Sequence, residues 1–183
     1  MTVEDIKFNA LRNAIYHSSR RRFFELLSRF LSFLVVISGT AAVAQLRILD
    51  PRLMAALAAT IGALQLVFDF NGRARLHEKL QVKYYELIAV VDRVANPSEA
   101  EIFKWRASLW QTYADEPPPM RALDAIAYNA ACDDLGFPSQ AHLKVQPWHW
   151  AFCQIYSFPN AKFQKNAGKD ESVPRSADAS NGG

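Results

Sequence analysis

The hydrophobic and polar positions of this chain fall into three regimes. From Val3 to Phe30, the apolar residues Phe8, Leu11, Ile15, Phe23, Leu26, Leu27 and Phe30 mostly recur at helical spacing with basic residues between them. That spacing predicts an amphipathic helix over 3–29. Two apolar runs follow, with no charged residue between Phe30 and Leu46 or between Leu53 and Phe68; a short connection with Arg47, Asp50, Pro51 and Arg52 separates them. A mixed polar and apolar pattern then resumes. The stretch "RARLHEKLQVKYYELIAVVDRVA" continues the second run with Gly72 as its one breaker, and Asn96-Pro97 should end it. Ser98 and Glu101 form a capping-box pattern ahead of Ile102, Phe103, Trp105, Leu109, Trp110 and Tyr113, and "DEPPP" stops that helix at Asp115. A further stripe runs through Leu123, Ile126, Ala127, Ala130, Ala131 and Leu135, ended by Gly136 and Pro138. Residues 145–163 are aromatic and irregular, and the polar stretch from Gln164 onward is expected to be disordered. The fold class is all-α, with one helical unit over 1–164 and a polar tail over 165–183.

Whether the two runs are membrane spans or the buried hairpin of a soluble bundle decides most of the functional reading. Seventeen helical residues reach roughly 25 Å against a hydrocarbon core of about 30 Å, so flanking arginines would have to lengthen the span by snorkelling. The flanks favour insertion. Arg12, Arg20, Arg21, Arg22 and Arg29 precede the first run and Arg73, Arg75, Lys79 and Lys83 follow the second, while the connection has only Arg47 and Arg52. By the positive-inside bias, this predicts a two-transmembrane hairpin, with spans at 30–49 and 53–69, both termini cytoplasmic and residues 70–164 forming a cytosolic helical bundle. A soluble all-α interaction module with Phe30 to Phe68 buried is the competing reading.

Each run also has a small and polar stripe. Ala55, Ala59 and Ala63 repeat at four; Ala58, Gly62, Gln65 and Asp69 share one face of the second run, and Ser38, Ala41, Ala42 and Gln45 one face of the first. In an antiparallel hairpin Gln45 and Gln65 lie at opposite ends and cannot satisfy each other. They are expected to need headgroup water, a second subunit or a hydrated lumen, which makes Ser38, Gln45, Ala58, Gly62, Gln65 and Asp69 the candidate pore-lining or helix-interface set.

Composition narrows the chemistry. The 183 residues suit one folded unit, and a net charge of +3 drawn largely from Arg20, Arg21 and Arg22 does not predict a nucleic-acid partner. Those arginines could hold anionic headgroups or form a solvated helix face. Cys132 and Cys153 are isolated, which suggests neither a disulfide framework nor a zinc site, and "MTVEDIKFNALRNAIYHSS" lacks the apolar core of a cleaved signal. His77-Glu78 opens like a zinc-protease signature, but Gln81 stands where the second histidine belongs, so the pair is expected on a solvated helix surface. No phosphate-cradling glycine motif is present, and the adjacent acids Asp115-Glu116 and Asp133-Asp134 face apart on a helix. His142 and His149 flank the aromatic segment without a nucleophile at recognisable spacing. No enzyme activity, cofactor or metal is expected. Trp148, Trp150, Phe152, Tyr156 and Phe158 could lie at a membrane interface or pack on the helices.

The order of parts, "ALRNAIYHSSRRRF", two short spans, "FNGRARLHEKLQVKYYELI", then "ADEPPPMRALDAIAYNAACDDLG", resembles the SLATT proteins, two-transmembrane effectors associated with SMODS nucleotidyltransferases and SLOG sensors in bacterial conflict systems. The resemblance covers roughly residues 5 to 160. Its sharpest element is the Glu116-Pro117-Pro118 turn followed by Leu123, Ala127, Asn129 and Gly136. It implies an inner-membrane effector of anti-phage abortive infection that self-assembles into a pore or disrupts the membrane, activated by a nucleotidyltransferase product or a SLOG-type sensor. A membrane-anchored helical scaffold or sensor without conductance is the alternative.

Overall fold

The structure, a computed structural model, describes residues 1–43 and 50–166, and its described residues form helices with no strand beyond one isolated bridge. The first helix, α1 (Val3–Val43), is continuous over 41 residues. The amphipathic segment and the first apolar run are therefore one rod, with no joint at residue 29 or 30. Across the connection, Asp50 accepts a hydrogen bond from the Arg52 backbone and Pro51 takes the first helical position, which starts α2 (Pro51–Phe68).

The break after α2 lies at Asp69 rather than Gly72. Asp69 adopts a left-handed conformation (φ 42°, ψ 57°). Its backbone N–H donates to the Gln65 carbonyl, closing α2, and its carboxylate accepts from the Gly72 N–H at 3.0 Å, opening α3 (Phe70–Asp92). Gly72 leaves the room for that cap, because a Cβ there would stand 2.0 Å from an Asp69 carboxylate oxygen. The end of α3 precedes the expected stop at Asn96-Pro97 by a turn.

Local signals set the next helices as expected. Ser98 and Glu101 form both halves of a capping box on α4 (Glu99–Ala114). Past α5 (Arg121–Asp134), Gly136 at φ +71° lets the Gly136 and Phe137 N–H groups reach the carbonyls of Asp133 and Cys132, the two-bond left-handed cap of a helix end. A 3-10 turn (Ser139–Ala141) and the short α6 (Pro147–Phe152) follow.

Helix α1 is the axis of the molecule, packing on α3, α2, α5 and α4. In its lower half Ile6, Ala10, Ala14 and His17 form a buried stripe at three- and four-residue spacing, and Phe24 continues it two turns on. Phe8, Leu11 and Ile15 are only half-buried, because α1 is enclosed from several sides and needs no single apolar face. One core joins Ile6, Ala10 and Ala14 to Tyr84, Leu87 and Val91 of α3 and Trp105 and Leu109 of α4; a second joins Tyr16 to Ala122, Leu123 and Ala127 of α5 and to Cys153 and Phe158. Each large side chain so buried contributes about 1.5–3 kcal/mol. A bidentate Arg12–Asp124 pair ties α1 to α5, and Lys7–Asp92 (2.6 Å) ties it to α3.

The chain is ordered further than its polarity predicts. Asn129 clamps the Leu143 backbone with both amide atoms, Leu143 bridges Lys165, and the N–H groups of Lys144 and Asn166 donate to the carbonyls of Gln164 and His142. Gln164, Lys165 and Asn166, expected at the start of a disordered tail, thus pair with 142–144. The rest of that tail, residues 167–183, lies outside the described residues.

Candidate functional site at the junction of hairpin and bundle

Above the bundle, α1 and α2 form an antiparallel pair that no other described element covers. Both are long and apolar enough to cross a membrane, and most of each apolar window is unburied. Phe30, Phe33, Val36 and Ile37 on α1 are exposed, as are Leu53, Leu57, Leu64, Leu66 and Val67 on α2, with Leu66 at 83%. Among the described residues, no other element buries the outer faces of this hairpin.

The predicted stripes are partly realised. Ser38 is buried, and Ala58, Gly62 and Gln65 lie half-buried around buried Ile61 on the face of α2 toward α1. The Gln65 amide nitrogen finds partners within the hairpin: it donates to the Ser28 carbonyl (3.2 Å) and to the Ser32 hydroxyl (3.0 Å), both on α1 of the same chain. The nitrogen of this amide is thus served inside one hairpin, by residues other than Gln45. Gln45 lies outside the described residues, as do the side chains of Ala41 and Ala42. Gly62 is not a close-approach glycine, since an added Cβ would meet nothing within 4 Å. Asp69 is exposed and caps α3. Ala55, Ala59 and Ala63 are exposed, on the side of α2 that α1 leaves free.

Beneath the hairpin is a buried polar chain that links three elements. His17 of α1 and His77 of α3 meet Nδ1 to Nδ1 at 2.8 Å, and His17 Nε2 lies 3.0 Å from Glu116 in the loop after α4. The Tyr84 hydroxyl donates to the same Glu116 oxygen. His17 is 1% exposed, His77 4% and Tyr84 0%. Aromatic faces seal the chain, with Tyr84 stacked on His17 and Phe24 stacked on His77. Burial, and after it the charges on His17, Arg20 and Arg73, lower the His77 pKa to about 3, so His77 is neutral near pH 7. Burial and the Glu116 hydrogen bond push the Tyr84 phenol far above its ordinary value, so it stays a donor.

His77 is therefore no solvated surface residue; Glu78 is, pairing with Arg21 at 3.3 Å. His17 escaped sequence reading because its partner is sixty residues away, although its place on the Ile6–Ala10–Ala14 stripe was a usable sign. Glu116 of the proline turn gains a definite task as the shared acceptor for His17 and Tyr84. Leu123 and Ala127 are core residues, Asn129 is the Leu143 clamp, and Gly136 is the helix stop.

The basic flank divides by partner. Arg21 meets Glu25 and Glu78, Arg29 approaches Glu25 at 3.9 Å, and Arg22 and Arg75 are exposed. Arg20 donates to the Gln154 carbonyl (2.6 Å) and side chain (3.0 Å) and lies over the Phe24 ring; Arg73 donates to the Phe68 carbonyl at 3.1 Å. Pro117 and Pro118 help wall a cavity between these two arginines. No cluster of metal-ligating side chains occurs among the described residues.

No protein-family model matches the chain, and neither a curated protein nor a solved structure does.

Proposed function

We propose that this chain is a membrane effector of the kind its resemblance to SLATT proteins implies. In this reading the α1–α2 hairpin crosses a bacterial inner membrane, the bundle lies in the cytoplasm with both termini, and several copies assemble to breach the bilayer. The trigger is an upstream nucleotidyltransferase product or a SLOG-type sensor acting through the bundle. The observation that carries the membrane part is the uncovered apolar hairpin, whose exposed Phe30, Phe33, Val36, Ile37, Leu53, Leu57, Leu64, Leu66 and Val67 leave a contiguous apolar surface of the kind that marks an interaction or membrane site. Assembly is supported by exposed Ala55, Ala59 and Ala63, because close helix approach in lipid uses small residues and α1 does not occupy that face.

Inducible expression with a potential-sensitive dye tests the proposal. Depolarisation is expected, and enlarging Ala55, Ala59 and Ala63 to Leu should abolish it while leaving the chain in the membrane fraction. Release by alkaline carbonate without detergent would overturn insertion itself.

A second reading, an anchored scaffold without conductance, is favoured by Gln65, whose amide nitrogen finds both its acceptors inside one hairpin. Membrane residence without depolarisation would select it.

A further inference from the structure

The cavity at the root of the hairpin has a chemistry that neither membrane crossing nor helix packing uses. It measures about 240 Å³ and is walled by Tyr16, Arg20, Phe24, Arg73, His77 and Met120, with the proline turn beyond. Two guanidinium groups face it, and among the described residues no carboxylate pairs with either; both are held by carbonyl and amide oxygens or by an aromatic face. Arg20 is half-buried, and its burial, followed by the opposed influences of Tyr16 and Arg73, lowers its pKa. His77 commits Nδ1 to His17, leaving Nε2 as its remaining nitrogen. Two uncompensated cations beside a neutral imidazole, in a partly enclosed space, are complementary to an oxyanion.

Position narrows the class of oxyanion. Arg73 is anchored to the carbonyl of Phe68, the last residue of α2, and lies five positions beyond it, roughly 7 Å along a helix axis. The headgroup layer on one side of a bilayer is of about that depth. Phe24, a wall of the cavity, stacks on Phe70 with ring centres 6.4 Å apart, and Phe70 stacks in turn on Phe68 at the end of α2.

We infer that this cavity binds a phosphate group, with Arg20 and Arg73 as its charged contacts, and that the phosphate is the headgroup of an anionic membrane lipid. The lipid assignment rests on the membrane reading above; the phosphate assignment does not. An anion here would also relieve the field that Arg20 and Arg73 impose on His77, so binding and His77 protonation are coupled.

The test uses the full chain in nanodiscs of phosphatidylcholine with increasing phosphatidylglycerol, reading thermal unfolding and the His77 ring signals by NMR. Phosphatidylglycerol should raise the unfolding temperature and shift the His77 titration upward. Arg73→Gln should raise the half-saturating lipid fraction about tenfold, the loss expected for one charge-assisted contact. Arg73 and Arg75 are both exposed, but only Arg73 lines the cavity, so Arg75→Gln removes the same charge two residues away and should change that fraction little. Equal losses in both variants, or an unmoved His77, would overturn the site. A parallel arm adds inorganic phosphate to pure phosphatidylcholine discs, or to the free chain if it does not insert. Saturation there with the same Arg73 dependence would keep the phosphate site and overturn its lipid source.

Discussion

The two halves of α1 invert each other. Below residue 28 the helix hides polar groups, His17 and Asn13 among them, inside a sealed bundle; above it, Phe33, Val36 and Ile37 face outward. In the lower half the polar atoms are inside because they find one another, and in the upper half the apolar atoms are outside because no second layer covers them. The same backbone geometry thus carries two opposite side-chain patterns.

The strongest way to break this contrast is to charge the exposed half. Ile37→Arg with Leu57→Arg places two cations near mid-span, at about 2.5–3.5 kcal/mol each in a bilayer. Loss from the carbonate-resistant membrane fraction is expected; a double variant that still resists carbonate would show that the hairpin is not lipid-facing. Inside the bundle, Glu116→Ala strands the Tyr84 hydroxyl and His17 together and should lower unfolding stability by about 3 kcal/mol. Glu116→Gln keeps an acceptor and should recover part of that loss in the same denaturant titration.

Acid sharpens the comparison next, because it acts on the bundle and spares the hairpin. The groups facing His77 are His17 and Arg20 from α1, Arg73 from α3 and, through His17, Glu116. With a folded pKa near 3 and an unfolded value near 6.5, the unfolded chain binds the His77 proton first as pH falls. The stabilisation is therefore complete above about pH 6.5 and is lost progressively toward pH 3. The slope is up to about 1 kcal/mol per pH unit after allowance for water reaching the ring. His77→Gln should flatten that part of the pH dependence of unfolding.

The smallest effect is expected at the seam. Gly72→Ala forces the Asp69 carboxylate off the α3 cap and should cost about 1 kcal/mol, as should Asp69→Ala. The double variant should lose little more than either alone.

What could be read from the sequence was local. The Ser98–Glu101 box, the proline turn, the Gly136 stop and the two apolar runs are written in residues a few positions apart, and each formed as its spacing predicts. The polar chain under the hairpin was not legible, since His17, His77 and Glu116 meet only once α1, α3 and the proline turn pack. The partners of the Gln65 amide nitrogen, Ser28 and Ser32, were hidden for the same reason: they depend on the stagger of two helices, which no single stripe encodes. Asp69 lay in the right place for a face and did a different job, because its αL backbone ended the helix there.

The seam and the rod together set how the molecule can bend. Helix α1 runs about 60 Å without interruption, a stiff strut shared by both halves, whereas the return path through α2 and α3 has a knuckle one residue wide at Asp69. Any tilt between the two halves has to bow the strut or turn at that knuckle. Motion imposed on the bundle through α3 would therefore reach α2 as a swing about Asp69, while α1 stays in line.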